Sequence, residues 1–183
     1  VHRDLKPGNV MFRSAASCEP VVCDFGLARA KDGSKYREAS AMGADGTLCY
    51  KAAEMLTGTR AVEYSRATDV FALGVLTAEM FAEEKPHKGK SEPQIAKSAA
   101  SGVMPVDMAR VPADVQVLVK ACLQPVPSKR PTCEQILLRL GQGACASVCG
   151  CVTCMCCWQS CSLVLTRRSG LVCACNGSGS VVF

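Results

Sequence analysis

Two short stretches near the start of the chain carry residues whose types and spacing suit phosphoryl transfer. The first, residues 2–9, holds Asp4 and Asn9 on a segment that a Pro-Gly pair keeps from becoming a helix. The second supplies Asp24. Phosphoryl transfer requires a carboxylate that takes up the proton of the nucleophile, and oxygen ligands that hold Mg²⁺ against the phosphates. Asp4 suits the first task, and Asn9 with Asp24 suits the second.

The order and separation of the two stretches resemble those of two motifs in eukaryotic protein kinases. The stretches match the catalytic loop and the metal-binding Asp-Phe-Gly motif, as His2-Arg3-Asp4-Leu5-Lys6-Pro7-Gly8-Asn9 and Asp24-Phe25-Gly26. The resemblance implies that Asp4 is the catalytic base and that Asn9 and Asp24 hold Mg²⁺ and ATP. It also implies structural or regulatory roles for the flanking residues His2, Arg3, Phe25 and Gly26.

Lys6 distinguishes between the branches of that family. Lys6-Pro7 after Asp-Leu is the serine/threonine-type pattern, whereas the tyrosine-specific branch usually has Ala/Arg combinations there. The resemblance implies that Lys6 lies near the transferred phosphate of ATP and offsets its developing charge as a point charge. The implied partner is therefore a protein substrate that carries a Ser or Thr hydroxyl.

A small hairpin and a central helix must position these residues. Apolar runs at 10–12 and 21–23 predict two short strands with Asn9 at one end and Asp24 at the other. Ser65 to Ala82 is apolar nearly all round, which predicts a buried central helix.

Three further helices are predicted after the central one. They are a surface helix from Glu92 to Ser101, closed by Gly102, a helix opened by Pro112, and a last helix through Leu140 with Thr132 and Gln135 in capping-box register. These elements predict a mainly α (α+β) fold over residues 1–140. It resembles the helical C-lobe of a protein kinase with a small β-hairpin.

Residues 27–53 lack clear periodicity and predict a long loop, which is usually functional at that length. The resemblance makes this the activation segment, from Asp24 to Glu54. Arg3 would pair with a phosphate on that segment and order it. Its candidate phosphosites are Ser34, Tyr36 and Ser40, and the alternative is that these are ordinary solvated hydroxyls.

Three more contacts follow from the resemblance. Thr47 would hydrogen-bond toward Asp4 and Lys6 and help to seat the substrate hydroxyl. Glu54 would form a buried ion pair with Arg130, although Ala53 replaces the proline that the family has before this glutamate; the alternative is two unrelated surface charges. Asp69 would hold the backbone of the catalytic loop from below, or else complement the dipole at the start of its helix.

Composition indicates a globular protein without a nucleic-acid surface. Charged residues make up 20% and apolar residues 49% of the 183 positions. The net charge is +5, with nineteen Lys/Arg against sixteen Asp/Glu in residues 1–140, a balance that is ordinary for an enzyme. Nine of the fourteen Cys lie in residues 145–175, so the body of the chain is Cys-poor and fits a cytoplasmic location.

The tail, residues 141–183, changes character and leaves three interpretations open. The preferred one is a poorly structured extension. A zinc site is favoured by the C-x-x-C at Cys151 and Cys154 but lacks His ligands. A membrane-associated segment over residues 144–166 is favoured by an uncharged run that Arg167-Arg168 ends.

The chain begins at Val1, already inside the first motif, which suggests a fragment. The smaller lobe, the N-lobe of the family, would supply a Gly-rich loop, a strand Lys and a helix Glu for ATP, and none of them is present. We therefore expect this chain alone to bind ATP poorly or not at all. Two rival hypotheses are a kinase-like scaffold without activity, and a membrane- or metal-binding Cys-rich protein with a relic kinase segment.

Overall fold

A computed structural model describes residues 1–13, 20–28, 47–56 and 64–141. The candidate phosphosites Ser34, Tyr36 and Ser40 lie outside the described residues, as does the Cys-rich tail from residue 142 onward.

The predicted hairpin forms next to the first motif. Strand β1 (Val10–Phe12) pairs with strand β2 (Pro20–Val22) in an antiparallel ladder in which Val10 faces Val22. A 3₁₀ turn at Pro7–Asn9 leads into β1, and its first residue is a proline that presets the backbone angle. β2 begins one residue earlier than predicted and ends before Cys23. Asn9 and Cys23 are therefore neighbours at the open end of the hairpin.

Five α-helices follow within the described residues, as α1 (Ala53–Leu56), α2 (Arg66–Ala82), α3 (Glu92–Ala100), α4 (Ala113–Cys122) and α5 (Cys133–Gly141). The predicted mainly helical architecture with a small hairpin is confirmed. None of these helices has the length and apolar character that crossing a bilayer requires.

Helix α2 is the centre of the core, as its apolar sequence predicts. It packs against α4, where Val75, Val115 and Val119 are all 0% exposed. Gly74 lets the two helices approach closely, because a Cβ atom at this position would lie only 2.7 Å from the Cβ of Cys122. The long apolar helix is therefore a rigid support for whatever is attached to it.

Local signals in the sequence set the helix ends. Gln135 donates its backbone N–H to the Thr132 hydroxyl and accepts one from Thr132 N at 2.9 Å, which is the predicted capping box. Ser91 and Gln94 form a second box at the start of α3, and Gly102 follows that helix with a left-handed φ of +68°.

The loop predicted over residues 27–53 is more structured at its two ends than its sequence indicates. Phe25–Leu27 and Thr47–Tyr50 form 3₁₀ turns, and α1 begins at Ala53. Turns of three or four residues are too short to produce a hydrophobic period, so the sequence carried no signal for them.

The Lys- and Gly-rich turn around His87 predicts a solvated loop residue, and the structure shows that this prediction is wrong. The side chain is buried, with 5% exposure, and its Nδ1 has no hydrogen-bond partner in the part of the chain that the structure describes. The backbone is left-handed (φ 56°), and its N–H donates to the carbonyl of Pro105 at 2.7 Å. Burial, and then the charge of Lys90, lowers the pKa of His87 from 6.5 to about 4.

We predict that His87 makes the fold sensitive to acid. The unfolded chain takes up a proton on this side chain as the pH falls through about 6.5, whereas the folded chain resists protonation until about 4. The free energy of unfolding should therefore fall across this window, by roughly 2–3 kcal/mol from this residue.

The measurement is urea unfolding at pH 7 and pH 4.5 for the wild type and His87→Asn. Asn tolerates the left-handed backbone but does not titrate in this range. The loss of stability between the two pH values should be smaller in the variant, and an equal loss in both proteins would contradict the prediction.

Candidate active site

The segment at residues 2–9 is held from below by one carboxylate. Asp69, in the first turn of α2, accepts the backbone N–H of His2 at 2.7 Å through Oδ2 and the backbone N–H of Arg3 at 2.9 Å through Oδ1. Hydrogen bonds to a charged acceptor are stronger than neutral ones, so this is a firm attachment. The predicted contact of Asp69 with the loop backbone is present.

Asp4 follows directly and is oriented by two donors. Lys6 Nζ lies 2.7 Å from Asp4 Oδ2, and Asn9 Nδ2 donates to the same oxygen at 3.1 Å. Asn9 Nδ2 also donates to the Asp4 carbonyl at 2.7 Å. No donor among the described residues lies within hydrogen-bonding distance of Asp4 Oδ1. That oxygen is available to accept a proton from a substrate hydroxyl.

Asp24 is placed beside this group through the backbone of its neighbour. The N–H of Cys23 donates to the Asn9 carbonyl at 2.8 Å, and the Cys23 carbonyl lies 3.0 Å from His2 Nε2. Asp24, the next residue, is left-handed (φ 61°), and its Oδ1 accepts the N–H of Gly26 at 3.3 Å. The structure thus brings the predicted residues 4, 9 and 24 to one end of the hairpin.

The side chains of His2 and Phe25 pack against each other next to these residues. The two rings meet edge to face with their centroids 5.0 Å apart, although Phe25 is 63% exposed. His2 is buried and makes three contacts: its backbone N–H with Asp69, its ring nitrogen with the Cys23 carbonyl, and its ring with Phe25. Its role here is to join the loop to the segment that carries Asp24.

The residues at this end of the hairpin fit a hard cation such as Mg²⁺. Asn9 uses its amide nitrogen for Asp4, which leaves its Oδ1 as a ligand atom, and Asp24 supplies an exposed carboxylate. No cluster of three or more His, Cys, Asp or Glu side chains suited to a metal occurs in the described ranges. Mg²⁺ commonly takes only one or two protein ligands and completes its shell with phosphates and water. The oxygen donors of Asn9 and Asp24 meet that requirement as a pair of protein ligands.

The predicted partner of Glu54 is also in place. Arg130 donates to the two oxygens of Glu54 at 2.6 and 2.8 Å, and its side chain is 0% exposed against 24% for Glu54. The guanidinium also donates to backbone carbonyls, and these belong to Ala67, Gln124 and Pro125. With all its donors used, Arg130 ties α1 to the start of α2 and to the segment before α5.

One polar pair in the site was missed by the sequence analysis. The hydroxyl of Tyr50 donates to Glu79 Oε2 at 2.7 Å, and Glu79 is 4% exposed in the last turn of α2. Burial raises the pKa of Glu79, and burial with the hydrogen bond to Glu79 raises the pKa of Tyr50. The available signal was an acid inside a helix that is apolar nearly all round.

This pair ties the turn at Thr47–Tyr50 to α2. The backbone of Thr47 begins that turn, whereas its side chain lies outside the described residues. The contacts predicted for Thr47 therefore remain predictions, and so does the pairing of Arg3 with a phosphate.

Comparison with known proteins shows which family this chain resembles in sequence. The profile of the protein kinase domain matches residues 1–140. A protein of Thermomonospora curvata named "Probable serine/threonine-protein kinase PkwA" is 35% identical over 140 residues, 76% of this chain and 18% of its own length. A mitogen-activated protein kinase kinase kinase of Drosophila melanogaster is 31% identical over 153 residues, 80% of this chain and 12% of its own length.

The chain belongs to the protein kinase family. It spans about a quarter or less of the length of these relatives, including the calcium-dependent protein kinase 21 of Oryza sativa subsp. japonica, of which it covers 24% at 32% identity.

The ion pair between Glu54 and Arg130 leads to a prediction on stability. Glu54→Ala leaves a buried guanidinium without its anionic partner, so the free energy of unfolding should fall by about 3–5 kcal/mol. Thermal and urea denaturation of the purified variant measure this loss.

The matched control is Glu84→Ala, which removes a carboxylate whose partner cation is solvated. Lys88 Nζ lies 4.0 Å from Glu84 Oε1, and the Lys88 side chain is 76% exposed against 29% for Glu84, so this change should cost less than about 1 kcal/mol. If Glu54→Ala were no more destabilising than this control, the pair would not contribute to stability.

Proposed function

We propose that this chain carries the catalytic loop of a serine/threonine protein kinase, which transfers the γ-phosphoryl group of ATP to a Ser or Thr hydroxyl of a protein. One observation supports this most directly. The Asp4 carboxylate is oriented by Lys6 and Asn9 through one of its oxygens, while its other oxygen receives no donor from the described residues. A carboxylate held in this way suits a base that acts on an incoming hydroxyl.

The proposed reaction is an in-line displacement. Asp4 accepts the proton of the substrate hydroxyl as its oxygen forms a bond to the γ-phosphorus of ATP. The bond from that phosphorus to the β–γ bridging oxygen breaks, and ADP leaves. Lys6, which lies 2.7 Å from the base in the structure, carries a positive charge to the place where negative charge develops on the phosphoryl oxygens.

Asn9 and Asp24 would hold the magnesium ion of the nucleotide. When bound, Mg²⁺ neutralises charge on the phosphates and fixes their orientation. The contribution of the chain is to keep the two ligand residues adjacent. The hydrogen bond from Cys23 N to the Asn9 carbonyl, 2.8 Å long, achieves this through the backbone.

Two observations support a Ser or Thr acceptor. Lys6-Pro7 after the catalytic Asp-Leu is the pattern that resembles the serine/threonine branch. PkwA, the relative from Thermomonospora curvata, is also named a serine/threonine-protein kinase. The structural alternative, a kinase-like scaffold without activity, predicts no phosphate transfer at all.

We predict that Asp4→Asn in the full-length protein lowers kcat for phosphate transfer by at least about 100-fold, because the amide retains the shape of the side chain but cannot accept the proton. Transfer of ³²P from ATP to a protein substrate measures the loss. The melting temperature should change little.

Asp107→Asn is the matched control, since Asp107 is a carboxylate that caps a 3₁₀ turn on an exposed loop away from the hairpin. It should keep the wild-type rate. Equal, substantial transfer by wild type and Asp4→Asn would contradict the role of Asp4, and no transfer by the wild type would favour the scaffold hypothesis.

A further inference from the structure

Tyr64 makes a contact with the catalytic loop that no motif in the sequence indicated. The guanidinium carbon of Arg3 lies 3.8 Å from the centre of the Tyr64 ring. Tyr64 is half-buried and stands just before α2, which begins at Arg66. A guanidinium stacked on an aromatic face is held by the ring quadrupole and by dispersion.

The backbone of Arg3 explains why this contact matters. Arg3 has a φ of +78°, in the left-handed region that residues with a Cβ atom avoid. The loop must be held in this conformation by its surroundings, because the isolated segment would relax to negative φ. Asp4, the proposed base, is the next residue, so relaxation at Arg3 would turn its carboxylate away.

Two groups from the same short stretch hold Arg3 from different sides. Asp69 accepts the backbone N–H of Arg3 at 2.9 Å, and the Tyr64 ring supports the side chain at 3.8 Å. The hydrogen bond to Asp69 restrains the backbone of Arg3, and the contact with the Tyr64 ring restrains the far end of its long side chain.

We propose that Tyr64 is a positioning residue for phosphoryl transfer, which acts by holding Arg3, and through Arg3 the carboxylate of Asp4, in the reactive orientation. The proposal rests on the proposed kinase function. Tyr64 itself touches neither the nucleotide nor the acceptor hydroxyl in this scheme. The aromatic face supplies the effect, and the phenol oxygen is not required.

The test compares Tyr64→Leu with Tyr64→Phe in the full-length protein. Leu removes the ring and should lower kcat about tenfold, the rate equivalent of about 1.4 kcal/mol, with little change in KM for ATP. Phe keeps the ring and should retain most of the wild-type kcat. A Leu variant with wild-type kcat, or a Phe variant as slow as Leu, would overturn the proposal.

A second variant distinguishes a loss of positioning from a general loss of stability. Phe81 lies at the other end of α2 and packs against the core, so Phe81→Leu removes an aromatic ring without approaching the loop. It should lower the melting temperature but leave kcat unchanged. If Phe81→Leu slowed transfer as much as Tyr64→Leu, the effect would be a general loss of stability and the proposal would fail.

Hydrogen–deuterium exchange supplies a readout that needs no activity. Backbone amides of residues 2–9 should exchange faster in Tyr64→Leu than in the wild type or Tyr64→Phe. If the wild type transferred no phosphate but this pattern appeared, the kinase function would fail while the hold of Tyr64 on the loop would stand. If exchange were the same in all three proteins, the proposal would be wrong whatever the activity.

Discussion

The carboxylate of Asp69 accepts two backbone N–H groups of the loop at residues 2–9, and the rest of the site depends on that attachment. A loop of eight residues that contains a proline, a glycine and a left-handed arginine has little structure of its own to stabilise it. Its conformation has to come from a neighbour that does not move. The first turn of a helix is suited to this task, because an acid there is also favoured by the helix dipole.

That neighbour is rigid because it is buried. Helix α2 is packed on several sides, with Val75 and Ala78 wholly inaccessible to solvent. Three polar connections join this helix to neighbouring segments: Asp69 contacts the loop at residues 2–9, Glu79 contacts the turn at Thr47–Tyr50, and the Ala67 carbonyl accepts a hydrogen bond from Arg130. A single apolar helix therefore sets the positions of chain segments that are far apart in sequence.

These connections share a physical feature, which is a charged or polar group removed from water and matched by a partner. Arg130 is fully buried with every donor directed at an oxygen, and Glu79 is buried with the Tyr50 hydroxyl. Such groups are costly to bury singly, so each pair forms as a unit or not at all. His87 is the contrasting case, since its buried Nδ1 has no partner among the described residues and burial keeps the ring neutral.

The sequence by itself determined the family, the central helix, the capping box at Thr132 and the partnership of Glu54 with Arg130, because each depends on residue type and local spacing or on motifs that recur in kinases. It did not predict the burial of His87, the bond between Tyr50 and Glu79, or the stacking of Arg3 on Tyr64. Tyr50 and Glu79 are 29 positions apart in the sequence, and Arg3 and Tyr64 are about twice as far apart. Only the packing of the chain around α2 decides which distant side chains meet, since a burial pattern along the chain specifies which face is inside but not what it touches there.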